Sequence, residues 1–271
     1  VGMACCLFVK QKTADEIGMW REFRRVLFRS HRVGGALPSG RLVGAPPAQS
    51  VVFGALSVGR TAKLDRKAVP MKHLVVMAKA PRIGRVKTRL AKDIGLVGAW
   101  AFQRRTLIET ARKLKDPRWQ CWLSVTPDRA AYNARMWPGI CPGGWTLIPQ
   151  GQGDLGERML RPWLMLPPGP VVIVGSDIPD MTAGHTAAAF EALGENDLVF
   201  GPASDGGYWL VGAKRHPCVI NPFQDVRWST EHALGDTIQN APIGAKIGFV
   251  ETLDDVDDGA GLKARLKRGV L

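Results

Sequence analysis

The stretch Val171-Val172-Ile173-Val174-Gly175-Ser176-Asp177-Ile178-Pro179 decides the fold class of this chain. Its four apolar residues are typical of a short strand that is buried on both faces of a parallel sheet. The polar residues that follow such a strand lie at its carboxyl end, the edge where open α/β sheets bind ligands. Asp177 is therefore placed to hold a divalent cation and its phosphates. The alternative is that Asp177 shapes the turn or caps the following helix, and other segments bear on this choice.

Apolar runs of strand length alternate with helical periodicity on both sides of this stretch, from Met71 onward. The predicted strands cover 73–78, 121–125, 145–148, 171–174, 197–200, 208–211 and 247–253. The predicted helices cover 99–114, 155–166, 182–193 and 229–239, the last with Ser229 or Thr230 as its N-cap. Such alternation with short connections predicts an α/β domain over 71–271, with a mostly parallel open sheet and helices on both faces.

The loop after the first predicted strand is strongly basic. Residues 79–89, Lys-Ala-Pro-Arg-Ile-Gly-Arg-Val-Lys-Thr-Arg, carry five cationic side chains in eleven positions. A loop at this place in an α/β sheet commonly holds nucleotide phosphates, although a solvated basic loop has the same composition. Neither the Walker motif nor a GxGxxG fingerprint is present. We predict phosphate binding by this loop, through Lys79, Arg82, Gly84, Arg85, Lys87 and Arg89.

A second glycine-rich segment precedes the helix predicted from residue 155. It reads Gln150-Gly151-Gln152-Gly153-Asp154, and its glycines let a ligand approach the N-terminus of that helix. Gln150 has an amide that could contact a base or a sugar. Asp154 is an equally good N-cap, so the signal is weak on its own. We assign Gln150, Gly153 and Asp154 to nucleotide binding.

Two further segments follow predicted strands later in the chain. Residues 201–209, Gly-Pro-Ala-Ser-Asp-Gly-Gly-Tyr-Trp, contain Asp205 in a sequence that is also typical of a plain hairpin turn. Trp228-Ser229-Thr230 brings two hydroxyl groups to the start of a predicted helix, where they could cap it or contact a phosphate.

Together, these motifs are more specific than any one of them. Taken in order along residues 71–258, they resemble a bacterial family of GT-A-like proteins with the nucleotide-diphospho-sugar transferase fold. Its members are described as radical-SAM/selenodomain-associated transferases or as glycosyltransferases assigned to arsenosugar biosynthesis. The fold is also similar to that of 2-phospho-lactate guanylyltransferases. One departure is Asp180-Met181, where the family pattern has smaller residues.

The resemblance implies a nucleotide across the carboxyl edge of the sheet, with Mg²⁺ or Mn²⁺ held by Asp177. Asp205 becomes a second metal ligand or the base that activates an acceptor. The chain has Asp-Ile-Pro where many GT-A enzymes have Asp-x-Asp, and Asp180, which follows Pro179, is the alternative source of a second carboxylate oxygen. The remaining residues assigned to the substrate site are Ser176, Gly206, Gly207, Tyr208, Trp228, Ser229 and Thr230.

Three functions follow from this site. The resemblance favours transfer of a glycosyl group from a nucleotide sugar to a small-molecule acceptor. The basic loop favours nucleotidyl transfer, in which an NTP is coupled to a phosphorylated small acid, because a triphosphate carries more negative charge. The third is a module that binds a nucleotide without turnover. The presence of Asp177, Asp205 and the complete basic loop argues against it.

Charge and composition exclude other classes. The net charge is +13, but residues 1–70 carry 12 Lys/Arg against 4 Asp/Glu and residues 71–271 carry 25 against 20. That mild excess, without a nucleic-acid-binding motif, predicts no nucleic-acid partner. No apolar run reaches the roughly 18 residues of a membrane span. Five Cys without a CxxC pair indicate a reducing, cytoplasmic setting. Residues 1–70, partly similar to translated sequencing adapters, are interpreted as a disordered or non-native extension.

Overall fold

The computed structural model describes residues 71–141 and 143–267, all of which belong to one compact unit. The interpretation of residues 1–70 falls outside this range. None of the described helices combines the length with the apolar composition of a membrane span.

In the described part of the chain, seven strands form one mixed but mostly parallel sheet. They are β1 (Lys72–Lys79), β2 (Trp119–Thr126), β3 (Thr146–Pro149), β4 (Val171–Gly175), β5 (Leu198–Pro202), β6 (Tyr208–Ala213) and β7 (Ile247–Phe249). Their order is β3-β2-β1-β4-β6-β5-β7, and β6 runs antiparallel to both neighbours while the other pairs are parallel. The predicted fold class is thereby confirmed. The carboxyl ends of β1 to β4 lie along one edge.

Burial explains why β1 and β4 occupy the middle of the sheet. Leu74 on β1 pairs with Val172 on β4, and both side chains are fully buried. Val75 pairs in the same way with Ile173, whose other neighbour is Val211 of β6. Strands that are apolar on both faces are stable only where helices cover both faces of the sheet. The run at 171–174 therefore lies in the middle of the sheet, and the residues after it come to the centre of the carboxyl edge.

Five helices surround the sheet in the described region. They are α1 (Leu90–Lys113), α2 (Leu155–Met165), α3 (Ala183–Ala192), α4 (Ala233–Gln239) and α5 (Gly259–Lys267), with two 3-10 turns at Asp128–Tyr132 and Ala134–Met136. Helix α1 begins nine residues before the predicted start at residue 99. The prediction missed this first part because Gly95 (φ 76°, ψ 162°) kinks the helix and interrupts its apolar periodicity. Helix α5 was not predicted from the sequence.

The predicted start of α4 and the predicted end of β7 are both wrong. Ser229 has a left-handed φ of 60°, and the Thr230 hydroxyl donates to the carbonyl of Arg227 at 2.7 Å. These residues form a turn, and α4 starts at Ala233. The chain leaves β7 after Phe249, and the indole of Trp209 then donates to the carbonyl of Glu251 at 3.0 Å.

Buried tryptophans fasten α1 to the sheet. The indole N–H groups of Trp119 and Trp145 donate to the carbonyls of Leu114 and Ala111 at 2.9 and 3.2 Å. These carbonyls belong to the last turn of α1 and to its C-cap, where helix carbonyls lack partners within the helix. Cys121 is buried beside this contact, and burial raises the pKa of its thiol to about 11, in agreement with the role of a small apolar residue.

Candidate active site

A cavity of about 460 Å³ opens at the carboxyl ends of β1 to β4. This volume is in the range of small-molecule sites, which commonly enclose 300–1,000 Å³. The basic loop of residues 79–89 forms one part of the cavity wall, and the end of β4 forms another. The lining residues are Met77–Lys79, Arg85–Arg89, Gln103, Thr126, Gln150, Leu155, Gly175–Asp177 and Asp257.

The loop that carries Asp177 is held by the hydrophobic core and by side chains of α1. Ile178 is 2% exposed and anchors the loop in the core. From α1, Lys113 donates to the carbonyl of Pro179 at 3.0 Å, and the Gln103 amide lies 3.5 Å from the hydroxyl oxygen of Ser176. Two side chains on one helix thus fix the loop on either side of the Asp177 carboxylate.

Two further aspartates reach Asp177 from the segment after β7. The side chain of Val256 is buried, and its N–H donates to the carbonyl oxygen of Asp177 at 3.3 Å. This contact brings the flanking Asp255 and Asp257 to the same edge of the sheet. Carboxylate oxygens of Asp177, Asp255 and Asp257 all lie within 4.8 Å of one another. We call these three residues the aspartate triad.

The ammonium of Lys87 lies among the three carboxylates. Its Nζ is 2.7 Å from Oδ2 of Asp177, 2.6 Å from Oδ1 of Asp257 and 3.9 Å from Oδ2 of Asp255. Burial alone would lower the pKa of Lys87, but the charge of Asp177 and the hydrogen bonds to Asp177 and Asp257 outweigh it, and the pKa is raised. One ammonium therefore faces three carboxyl groups.

The donor set fits a hard divalent cation such as Mg²⁺ or Mn²⁺, which prefers carboxylate oxygens. Burial, followed by repulsion from Asp177 and Asp257, holds the pKa of Asp255 well above its ordinary value. Three carboxyl groups face the single positive charge of Lys87. The triad could therefore accept further positive charge, which a divalent cation would supply.

The cavity collects seven of the residues that the sequence assigned to the site. They are Lys79, Arg85, Lys87, Arg89, Gln150, Ser176 and Asp177. The other assigned residues are not among its lining: Arg82, Gly84, Gly153, Asp154, Asp205, Gly206, Gly207, Tyr208, Trp228, Ser229 and Thr230. Contacts of these residues with a substrate remain predictions.

The segment 150–154 is held by hydrogen bonds of its own. The amide N–H₂ of Gln150, which is 5% exposed, donates to the carbonyl of Ser124 at 3.0 Å and lies 3.4 Å from that of Ala78. Gln150 thus joins the ends of β1 and β2 beside the cavity. Asp154 forms a capping box with Glu157, from whose N–H it accepts at 2.8 Å. The capping role of Asp154 is therefore present in the structure.

Asp205 lies in the turn between β5 and β6. Its Oδ1 accepts from the N–H of Gly207 at 2.9 Å, as in an ordinary Asx turn. The neighbouring Ser204 donates from its N–H and its hydroxyl to Asp254, at 2.9 and 2.7 Å. Gly206 (φ 83°) is required here, because a Cβ would lie 2.2 Å from the carbonyl oxygen of Glu231. The turn is thus fastened to the segment that carries Asp255.

The aromatic residues assigned to the substrate site have packing contacts. Tyr208 meets Trp228 edge to face, and burial raises the pKa of the Tyr208 hydroxyl. Trp228 in turn lies against α2, where a Cβ on Gly156 would come within 2.9 Å of its ring. These two residues join the β6 region to the N-terminal turn of α2.

Sequence reasoning missed five polar residues that the structure brings to the site: Thr88, Gln103, Thr126, Asp255 and Asp257. A signal for two of them was present. Residues 254–258 read Asp-Asp-Val-Asp-Asp, and one apolar residue between acids is typical of a segment whose centre is buried while its acids are held at a surface.

Comparisons with known proteins agree with this architecture. A family model described as an uncharacterized protein conserved in bacteria (DUF2064) matches residues 109–230. A protein of Desulfovibrio desulfuricans G20, assigned provisionally as a nucleotide-diphospho-sugar transferase, has a solved structure that is similar with a TM-score of 0.66 and 26% sequence identity. The match covers 73% of this chain and 87% of that one. A search of the curated proteins finds no match.

Two more distant structures have lower scores. The 4-diphosphocytidyl-2C-methyl-D-erythritol synthase of Anaerococcus prevotii is 11% identical, with a TM-score of 0.48 over 73% of this chain and 99% of that one. The glucosyl-3-phosphoglycerate synthase of Mycobacterium tuberculosis, solved with Mn²⁺, UDP and glucosyl-3-phosphoglycerate, is 12% identical, with a TM-score of 0.45 over 75% and 78%.

Proposed function

We propose that the protein is a metal-dependent transferase that moves a glycosyl group from a nucleotide-sugar donor to a small-molecule acceptor. One observation carries the proposal: a cavity at the carboxyl edge of the sheet is lined both by the basic loop and by two members of the aspartate triad, Asp177 and Asp257. The likeness to the D. desulfuricans protein supports a transferase of the nucleotide-diphospho-sugar type.

The basic loop would hold the diphosphate of the donor. Arg85 and Lys79 are exposed at the cavity, and Arg89 is 78% exposed with a carboxylate oxygen of Asp257 at 3.7 Å. Guanidinium groups bind phosphates through parallel hydrogen bonds as well as through charge. The buried Val86 and Leu90 anchor the loop on both sides of Lys87, so its cations are held at the cavity.

The aspartate triad would hold Mg²⁺ or Mn²⁺ beside this loop. When bound there, the cation would neutralise the charge that develops on the leaving nucleoside diphosphate. Asp205 is our candidate for the group that takes a proton from the acceptor. Its turn is fastened to the segment of the triad through Ser204 and Asp254.

Nucleotidyl transfer is the second candidate function. The observation that favours it is the density of cations in the loop, with five in eleven residues and four of them lining the cavity. A triphosphate would use more of this charge than a diphosphate. The resemblance to glycosyltransferases assigned to arsenosugar biosynthesis favours the first candidate.

A ligand screen separates the two. The full chain is mixed with NTPs and with nucleotide sugars, each with and without Mn²⁺, and its melting temperature is measured. Stabilisation by a nucleotide sugar beyond that by the matching NTP selects glycosyl transfer, whereas the reverse, with release of pyrophosphate when an acceptor is added, selects nucleotidyl transfer.

Two variants test the metal in the same screen. Asp177→Asn should abolish the Mn²⁺-dependent part of the stabilisation. Asp116→Asn, at the amino end of β2 and thus at the opposite edge of the sheet, is the matched control and should leave it unchanged. Mn²⁺-dependent stabilisation that survives in Asp177→Asn would contradict the metal assignment.

A further inference from the structure

Lys87 already occupies the position between the carboxylates that a metal would need. Its side chain is 5% exposed, whereas that of Arg89, two residues further along the same loop, is 78% exposed. The Nζ contacts Oδ2 of Asp177 and Oδ1 of Asp257 at distances typical of charge-assisted hydrogen bonds. A cation that is ligated by both aspartates would use the same space.

A divalent cation and the ammonium exclude each other there for two reasons. The contacts of 2.6 and 2.7 Å leave no room for a second ion between the same two carboxylates. In addition, an ammonium repels a divalent ion strongly at such short range, because the site is partly screened from water. Metal binding therefore requires that the Lys87 side chain leave the triad.

The geometry of the loop gives the side chain somewhere to go. Lys87 itself lines the cavity into which Arg85 and Arg89 also face. Its neighbours Val86 and Leu90 are 6% and 0% exposed and hold the loop in place. The four-carbon stem of a lysine can turn while the backbone stays fixed. The backbone of Lys87 has a left-handed φ of 45°, which is unfavourable for a residue with a Cβ. Contacts around the loop must therefore maintain this backbone conformation.

We propose that Lys87 is a resident counter-ion that exchanges with the divalent cation. The metal displaces the ammonium from Asp177 and Asp257, and the ammonium turns into the cavity, where the phosphates of the donor receive it. Metal and phosphate then bind cooperatively, because each removes the cost of moving Lys87 for the other. The inference rests on the proposed function, since it takes metal and phosphates to be the occupants of this site.

The test is a variant whose two binding affinities change in opposite directions. Lys87→Met keeps the stem and removes the charge. It should bind Mn²⁺ alone about tenfold more tightly than the wild type, as expected when a coupled neighbour is removed. It should bind inorganic pyrophosphate more weakly. Free Mn²⁺ is measured by electron paramagnetic resonance and pyrophosphate by calorimetry.

Two controls isolate the exchange from a general effect of charge. Arg85→Met removes a cation that lines the same cavity without touching the triad, so it should weaken pyrophosphate binding and leave the Mn²⁺ affinity within about twofold. Lys87→Arg keeps the charge and should bind Mn²⁺ no more tightly than the wild type. A Lys87→Met variant with wild-type or weaker Mn²⁺ affinity would overturn the proposal.

A measurement on the unmodified protein covers the case in which Lys87→Met does not fold. Lysines are acetylated briefly with acetic anhydride and quantified by mass spectrometry, with the exposed Lys92 as the internal reference. Labelling of Lys87 should rise severalfold when Mn²⁺ is added and fall again when pyrophosphate is added with Mn²⁺. Labelling that saturating Mn²⁺ leaves unchanged would overturn the exchange.

The outcomes separate the exchange from the proposed function. If the wild type binds both Mn²⁺ and pyrophosphate, but Lys87→Met gains no Mn²⁺ affinity, the exchange is refuted and the proposed function stands. If Mn²⁺ binds to neither protein, the metal assignment fails and the exchange with it. If Mn²⁺ binds only to Lys87→Met, the exchange is supported.

Discussion

Replacing Asp257 by Asn should separate the metal site from the stability of the fold. Asp257 lies within 4.8 Å of the other two carboxylates and its side chain is 46% exposed. At an effective dielectric constant of 20, unit charges at this distance interact by about 3 kcal/mol, and exposure reduces this to on the order of 1 kcal/mol. The substitution relieves this repulsion but also removes the attraction to Lys87 and Arg89, which holds the pKa of Asp257 below its ordinary value. The Asn oxygen can still accept a hydrogen bond from Lys87.

Two opposite consequences follow from these magnitudes. In the absence of metal, relief of repulsion offsets most of the lost attraction to Lys87 and Arg89 at this half-exposed position, so the melting temperature should fall by less than about 4 °C. A divalent cation interacts twice as strongly as a unit charge with the missing carboxylate. The loss of a direct ligand should therefore weaken Mn²⁺ binding by at least about tenfold, or 1.4 kcal/mol.

The assay is a Mn²⁺ titration with a thermal melt of the metal-free protein, and the neighbouring aspartate is its control. Asp258 accepts from the N–H of Gly261 at 2.8 Å at the start of α5, and it does not belong to the triad. Asp258→Asn should change neither measurement, since Asn caps helices as well as Asp does. If Asp257→Asn keeps its Mn²⁺ affinity within twofold while Asp177→Asn loses it, the triad is refuted as the metal site.

Three further predictions concern residues outside the triad. Asp205→Asn should lower the turnover rate by about 10² with an unchanged melting temperature, because Asn can still accept from Gly207; unchanged turnover would leave Asp205 only a turn residue. Burial and the charge of Arg215 lower the pKa of His73 from 6.5 to about 4. Folding therefore disfavours protonation of His73, and the free energy of unfolding should fall by about 3 kcal/mol as the pH drops from above 6.5 to 4. Urea titrations of His73→Gln over the same pH range should lack this loss. Asp154→Ala should lower the free energy of unfolding by about 1 kcal/mol, because the helix cap is lost. A nucleotide affinity of this variant within twofold of the wild type would refute the assignment of Asp154 to nucleotide binding.

The order of elements and the fold class could be predicted because they depend on local patterns. The run at 171–174 is apolar at every position, so both of its faces must be covered, and this requirement alone puts it in the middle of a parallel sheet. The same reasoning places the basic loop and Asp177 at one edge, where the structure has them. The errors at Gly95 and Ser229 arise where a positive φ breaks a periodic pattern.

The partners of Asp177 could not be predicted in this way. Lys87 lies 90 residues before Asp177 in the chain and 170 residues before Asp257, and no local periodicity relates such positions. They meet because the segment after β7 leaves the sheet and its Val256 becomes buried against the loop of Asp177. The sequence by itself determined the sheet and the edge that carries the site, since burial of apolar runs is a local requirement. Only the tertiary structure decided which charges converge there, because electrostatic contacts depend on distances in space that the path of the whole chain sets.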